Sequence, residues 1–353
     1  MRRPRSSTVA IGLVILAAAI TFAATRVSFL QGPAPKGSTR HDPAPNFAGI
    51  AGWLNSPPLT ISALKGKVVL VDFWTYSCIN CVRTFPALKA LYAAYHPLGF
   101  EIVGVHSPEF SFEKIESNVR AAIKQDGIPW PVALDNDMDT WGAYSNHYWP
   151  HVYLIDAKGT IRFDHVGEGD DDLIQTRVRS LLAENGAKLP SPADVTVTEP
   201  TQQTTPEIYA GPDRGAIDGS IGNPEGYQSG VVNYHQASAA TIAHGGTDGI
   251  FFLAGKWRAS GEFIEAEQND ARLDLPFFAR NVYMVAAAPA GARVAVLLDG
   301  VRITSDAGAD VKSGVVDVRL SDLYGLVALV GPGTHRLTLE AGKGFRLYTF
   351  TFG

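Results

Sequence analysis

The stretch Val68 to Pro86, VVLVDFWTYSCINCVRTFP, constrains the fold more than any other part of the chain. Four consecutive apolar residues, then Asp72, Phe73 and Trp74, suit a strand covered on both faces, and the run from Val82 to Tyr95 repeats apolar residues at three- and four-residue steps. The pair Cys78-Ile79-Asn80-Cys81 therefore falls at a strand-to-helix turn. A thiol at a helix N-terminus meets unpaired backbone N–H groups and the positive end of the helix dipole, which favour the thiolate. Cys78 is thus the expected nucleophile, and Cys81, one turn in, the shielded resolving thiol.

Other uses of two cysteines compete with this reading. A closed zinc site needs four ligands, so His106, His147 or His151 would have to complete a mixed set, for zinc or for copper. The expectation is no metal. Thr75-x-x-Cys78 resembles a peroxidase motif, yet Val71 stands where that motif carries a proline. A thiol peroxidase remains an alternative.

The chain has 353 residues, 46% of them hydrophobic, enough for two domains with separate cores. A formal net charge of -5, with basic residues scattered beyond the N-terminus, argues against a nucleic-acid partner. Arg2, Arg3 and Arg5 precede an uncharged run from Val9 to Ala24, the order of an export signal. Residues 1–30 are read as a signal anchor or a signal peptide, the anchor using residues 9–30. Either reading puts the cysteines in the periplasm or its equivalent, and the anchor would hold them at the cytoplasmic membrane. Both cysteines lie in one motif, so they form a working couple and not a structural staple.

The strand ending Asp72-Phe73-Trp74, the Cys78/Cys81 pair and Pro86 five residues later resemble the thioredoxin superfamily, in its TlpA-like, redoxin branch. The resemblance covers roughly Pro43 to Glu184. It implies an α/β domain with a central mixed sheet flanked by helices, and a thiol:disulfide oxidoreductase with no cofactor beyond a redox-active Cys78–Cys81 disulfide. It makes Asp72 the buried carboxylate that relays a proton for the resolving thiol, since burial raises a carboxyl's pKa. It places a cis proline at Pro150, with the Trp149 main chain facing an extended substrate, and leaves Trp130-Pro131 trans. Trp74 and Glu109 join Trp149 and Pro150 as expected substrate-binding residues. The implied partners are disulfide-bearing exported proteins and a membrane electron donor of the CcdA or DsbD type.

Along the chain, residues 31–42 read as a flexible tether, 43–186 as the thioredoxin-like domain and 187–206, rich in Pro, Thr and Gln, as a linker. A helix is expected from about Phe112 to Gln125, with an apolar stripe at Phe112, Ile115, Val119 and Ile123. Residues 207–353 carry short β-branched and aromatic runs separated by turns, with hairpin signals at Asp299-Gly300 and Gly342-Lys343-Gly344. They predict an all-β sandwich or jelly roll. This domain order, with WTYSCINC followed by GEGDDD, resembles the exported part of DipZ-type proteins, whose β-domain is similar to a carbohydrate-binding module. A glycan is therefore a further candidate partner, with Trp257, Phe277, Phe278, Tyr283 and Tyr324 as candidate stacking rings; a cell-envelope carbohydrate binder is the rival function.

Overall fold

The structure, a computed structural model, describes residues 37–195, 204–244 and 249–353. The expected N-terminal anchor lies outside the described residues, and among those described no helix is long and apolar enough to cross a membrane.

The first half is built from β1 (Ser38–Thr39), β2 (Gly52–Leu54), β3 (Val68–Trp74), α1 (Ile79–Tyr95), β4 (Phe100–His106), α2 (Glu116–Asp126), β5 (Val132–Leu134), α3 (Asp139–Ala143), β6 (His151–Ile155), β7 (Ile161–Val166) and α4 (Asp171–Glu184). They form a seven-stranded mixed sheet in the order β1-β7-β6-β3-β4-β5-β2. Strand β3 is central, parallel to β4 and antiparallel to β6. Its continuous apolar run follows from burial on both faces. Val69, Val71 and Phe73 enter one apolar cluster, while Val68, Leu70 and Trp74 enter the other with Cys81, Phe85 and Leu88 of α1. The two-residue period therefore turns Asp72 toward the α1 side.

Three expectations change here. Ser38 and Thr39 pair with Asp164 and Phe163, so the end of the supposed tether is an edge strand. Residues 187–195 lie along α4: Ala193 exchanges hydrogen bonds with the Gln175 side chain at 2.7 and 3.0 Å, and Val195 is buried. The helix expected from Phe112 begins as a 3-10 turn, Ser111–Lys114, and α2 starts only at Glu116. Ile115 is extended between the two and half exposed, which removes it from the stripe.

The second half is all-β: β8 (Ile208–Tyr209), β9 (Val231–Tyr234), β10 (Phe252–Ser260), β11 (Phe263–Ala266), β12 (Ala271–Ala287), β13 (Ala292–Leu298), β14 (Val301–Arg302), β15 (Val315–Val318), β16 (Asp322–Ala341) and β17 (Arg346–Phe352). Helices α5 (Pro212–Asp218) and α6 (Ala239–His244) sit in its connections. The strands form one hydrogen-bonded sheet, because the long β12 pairs with β10 near its start, at Arg272, Leu273 and Asp274, and with β17 from Val282 to Ala287, with β16 along most of its length. Asp299 and Gly300 both have positive φ and join β13 to β14, as an Asp-Gly hairpin requires. Gly342-Lys343-Gly344 does not make a hairpin; it carries the chain from β16 across to the opposite edge of β12. Trp257 and Phe277 are fully buried in this domain's core, which removes them as sugar-stacking rings.

The two halves share apolar surface. Tyr209, Val285, Ala287 and Tyr348 belong to the same cluster as Cys81 and Phe85. Tyr348 stands edge-on to Phe110 and Phe112, with ring centroids 5.2 and 4.8 Å away.

Candidate active site

Cys78 is the N-cap of α1, extended in backbone, and its sulfur accepts the Cys81 N–H at 3.2 Å. Sulfur thus satisfies one of the donors a helix start leaves open. Cys78 is partly exposed, Cys81 fully buried, and both thiols are free. Burial pushes the Cys81 thiol well up, and its contact with Cys78 adds to this. A thiol so placed keeps its proton until a base takes it.

Asp72 is the available base. It is fully buried, neither carboxyl oxygen has a hydrogen-bond partner, and burial alone raises its pKa to about 7. Its charge contributes in turn to the raised pKa of Cys81. The Asp72–Cys81 pair can therefore pass one proton near neutral pH.

The Trp149–Pro150 peptide is cis, and no other cis bond occurs among the described residues. The Trp149 indole donates to Ser107 O at 3.0 Å and packs on Trp141 with centroids 4.2 Å apart. His151 fixes the same loop, bonding Asn146 Oδ1 at 2.6 Å through one ring nitrogen and Asp164 at 3.1 Å through the other. His106, a candidate ligand by residue type, is buried with its pKa lowered to about 3 by burial, and touches Thr75 Oγ1 at 3.3 Å.

Two expected substrate contacts sit elsewhere. Trp74 is fully buried, edge-on to Phe85 and His106, so it supports the turn from within and cannot touch a client. Glu109 is held by the Tyr209 hydroxyl at 2.7 Å and by Arg214, whose guanidinium lies 3.3 Å from the Tyr209 ring centre. Glu109 is a bond between the two halves, which the sequence could not reveal because its partners lie about a hundred residues away.

Three further polar residues stand at the site: Glu113 and Arg83 carry no sequence motif that marks them, and Glu168 belongs to the GEGDDD stretch, which bears on domain order and not on the site. Glu113 is fully buried; it accepts the Ser77 hydroxyl at 2.5 Å and the N–H groups of Glu109 and Phe110 at 2.6 and 2.9 Å. Burial raises its pKa to about 7. Arg83 pairs with Glu168 through two bonds of 2.7 and 2.8 Å and with Asn80 at 2.6 Å. The available signals were a lone acid between Phe112 and Ile115 and an arginine two residues past Cys81.

A vicinal dithiol at a helix start, a buried carboxyl behind the inner thiol and a cis proline opposite define a thiol-disulfide exchange protein of thioredoxin fold. Comparison with known proteins refines this. The Redoxin family matches residues 39–181, and a thioredoxin-like C-terminal domain family matches 205–353. Thiol-disulfide oxidoreductase ResA of Bacillus cereus is 32% identical over 125 residues, 35% of this chain and 68% of ResA. Protein DipZ of Mycobacterium tuberculosis is 37% identical over 317 residues, 88% of this chain, which spans only 43% of DipZ. A solved thiol:disulfide interchange protein from Chlorobium tepidum TLS is 25% identical over 41% of this chain and 99% of its own, with a TM-score of 0.35. The chain belongs to the thioredoxin superfamily, in its TlpA-like, redoxin branch.

Proposed function

We propose that the chain reduces disulfides of exported proteins through Cys78 and Cys81, outside the cytoplasmic membrane and tethered to it by residues 9–30. The observation that carries this reading is the buried, unpaired Asp72 carboxyl next to a buried Cys81, behind a partly exposed Cys78. The Cys78 thiolate attacks a client disulfide, forming a mixed disulfide and releasing one client thiolate. Cys81 then gives its proton to ionised Asp72 and attacks the Cys78 sulfur, releasing the second client thiolate. Two electrons pass to the client, and the enzyme is left with a Cys78–Cys81 disulfide.

The similarity to DipZ and ResA supports the extracytoplasmic placement, and a CcdA- or DsbD-like donor would return the electrons. Apocytochrome c cysteines are one candidate client. Glycan binding by the β-domain has less support, since two of its five candidate rings are core residues.

The test is capture. A Cys81→Ser variant, which cannot resolve, accumulates a mixed disulfide between Cys78 and a model protein substrate such as insulin, and a Cys78→Ser variant forms none. Equal trapping by both variants would refute the assignment of roles.

A further inference from the structure

Arg83 enters the second turn of α1, five residues past Cys78. Long helical side chains point back toward the helix N-terminus, and this one does: its Nη2 donates to Asn80 Oδ1 at 2.6 Å, bringing the guanidinium back to the dipeptide between the two cysteines. The other face of the fork is taken by Glu168, Nε to Oε2 at 2.7 Å and Nη2 to Oε1 at 2.8 Å. Both side chains are more than four-fifths buried. Glu168 lies in the Gly167-Glu168-Gly169 loop, where both glycines have positive φ and the Gly167 N–H donates to Pro150 O at 2.8 Å. One loop thus joins the cis proline to the helix that carries the dithiol. Gly353, at the end of β17, closes the remaining side; a β-carbon there would fall 2.4 Å from Arg83 Nη1.

We propose that Arg83 is the cation that supports the Cys78 thiolate, and that Glu168 limits this support by sharing the guanidinium. The inference rests on the oxidoreductase reading and names the residues that set the nucleophile's reactivity. In a site this enclosed a full charge acts with little screening. Glu168 tempers that charge, since its carboxylate takes two of the guanidinium's N–H groups. Both are positioning residues, because neither needs to touch the client. The guanidinium's own state agrees: burial would lower its pKa, but the Glu168 bonds and charge, with smaller contributions from Tyr283 and Cys78, hold it raised. Other titratable groups face this corner: Asp72 and Cys81 from behind, Glu113 through Ser77, His106 through Thr75, and Tyr283 from β12.

The test follows the alkylation rate of Cys78 by iodoacetamide against pH, in the full chain carrying Cys81→Ser so that one thiol is read. Arg83→Met should move the midpoint up by about one pH unit, roughly a tenfold loss of thiolate on the acid side. Glu168→Gln should move it down, and Arg83→Lys should recover part of the loss. Adding Glu168→Gln to Arg83→Met should change nothing further, since Glu168 acts through Arg83 alone. The proposal is overturned if the midpoint stays in place in Glu168→Gln with near-UV circular dichroism unchanged, or if Glu168→Gln shifts it equally with and without Arg83. This profile reads thiol reactivity alone, so absence of protein-disulfide reduction would defeat the proposed function and leave this inference standing.

Discussion

The Tyr76 hydroxyl donates to the backbone carbonyl of Ser321 at 3.1 Å, tying the turn that presents Cys78 to the β-domain 245 residues later in the chain. The Tyr76 ring stacks on His106 on its way there, with centroids 5.8 Å apart. The β-domain is therefore a wall of the oxidoreductase domain, sharing its core through Tyr348 and Val285.

Two substitutions grade that coupling. Tyr76→Phe removes one hydrogen bond and keeps the ring, at a cost of about 1 kcal/mol. Tyr348→Ala empties the space against Phe110, Phe112 and Phe263 and costs about 3 to 5 kcal/mol. Urea unfolding followed by tryptophan fluorescence reads both. A single transition that shifts for both halves is expected, and a shift confined to the β-domain would count against a shared core.

Asp72 makes stability depend on pH. Its folded pKa, about 7, exceeds the ordinary 3.8, so the folded state holds a proton that the unfolded state has released. The stability it contributes is complete below about pH 4 and is lost as pH rises through 7, by roughly 4 kcal/mol. Asp72→Asn should flatten much of the fall in melting temperature between pH 4 and 8, while slowing resolution of the mixed disulfide. An unchanged pH slope in the variant would show that the carboxyl is already ionised in the fold.

Glu113 is a separate case, because its carboxylate is the acceptor for three donors around the Cys78 turn. Glu113→Ala leaves the Ser77 hydroxyl and two amides without that acceptor, and should cost about 2 to 4 kcal/mol at pH 8. Amide hydrogen exchange at Glu109 and Phe110 should accelerate in the variant. Ser77→Ala, which removes one donor only, should lose less and leave those two amides protected.

What the sequence disclosed follows the range of the interactions. The strand ending at Trp74 and the helix running on to Tyr95 were readable, because apolar periodicity and the turn between them are local. Strand β16 was hidden by Gly325, Gly331, Pro332 and Gly333, which read as breaks; the register with β12 slips there and Val330 projects almost fully into solvent. At the site, Cys78, Cys81 and Asp72 are close in sequence or on one strand face. Glu109, Glu113 and Glu168 owe their roles to Arg214, Ser77 and Arg83, partners that only the folded chain brings near.

The central claim is that Cys78 and Cys81 form a reversible two-electron couple. It is tested by equilibrating the full chain in dithiothreitol or glutathione buffers, quenching with an alkylating agent and counting free thiols by mass. The account predicts one two-electron transition in which both thiols vanish together into an intramolecular Cys78–Cys81 disulfide, with a potential near about -270 mV or lower for a reductant. Two thiols that stay free across the whole range, or that titrate independently of each other, would contradict it.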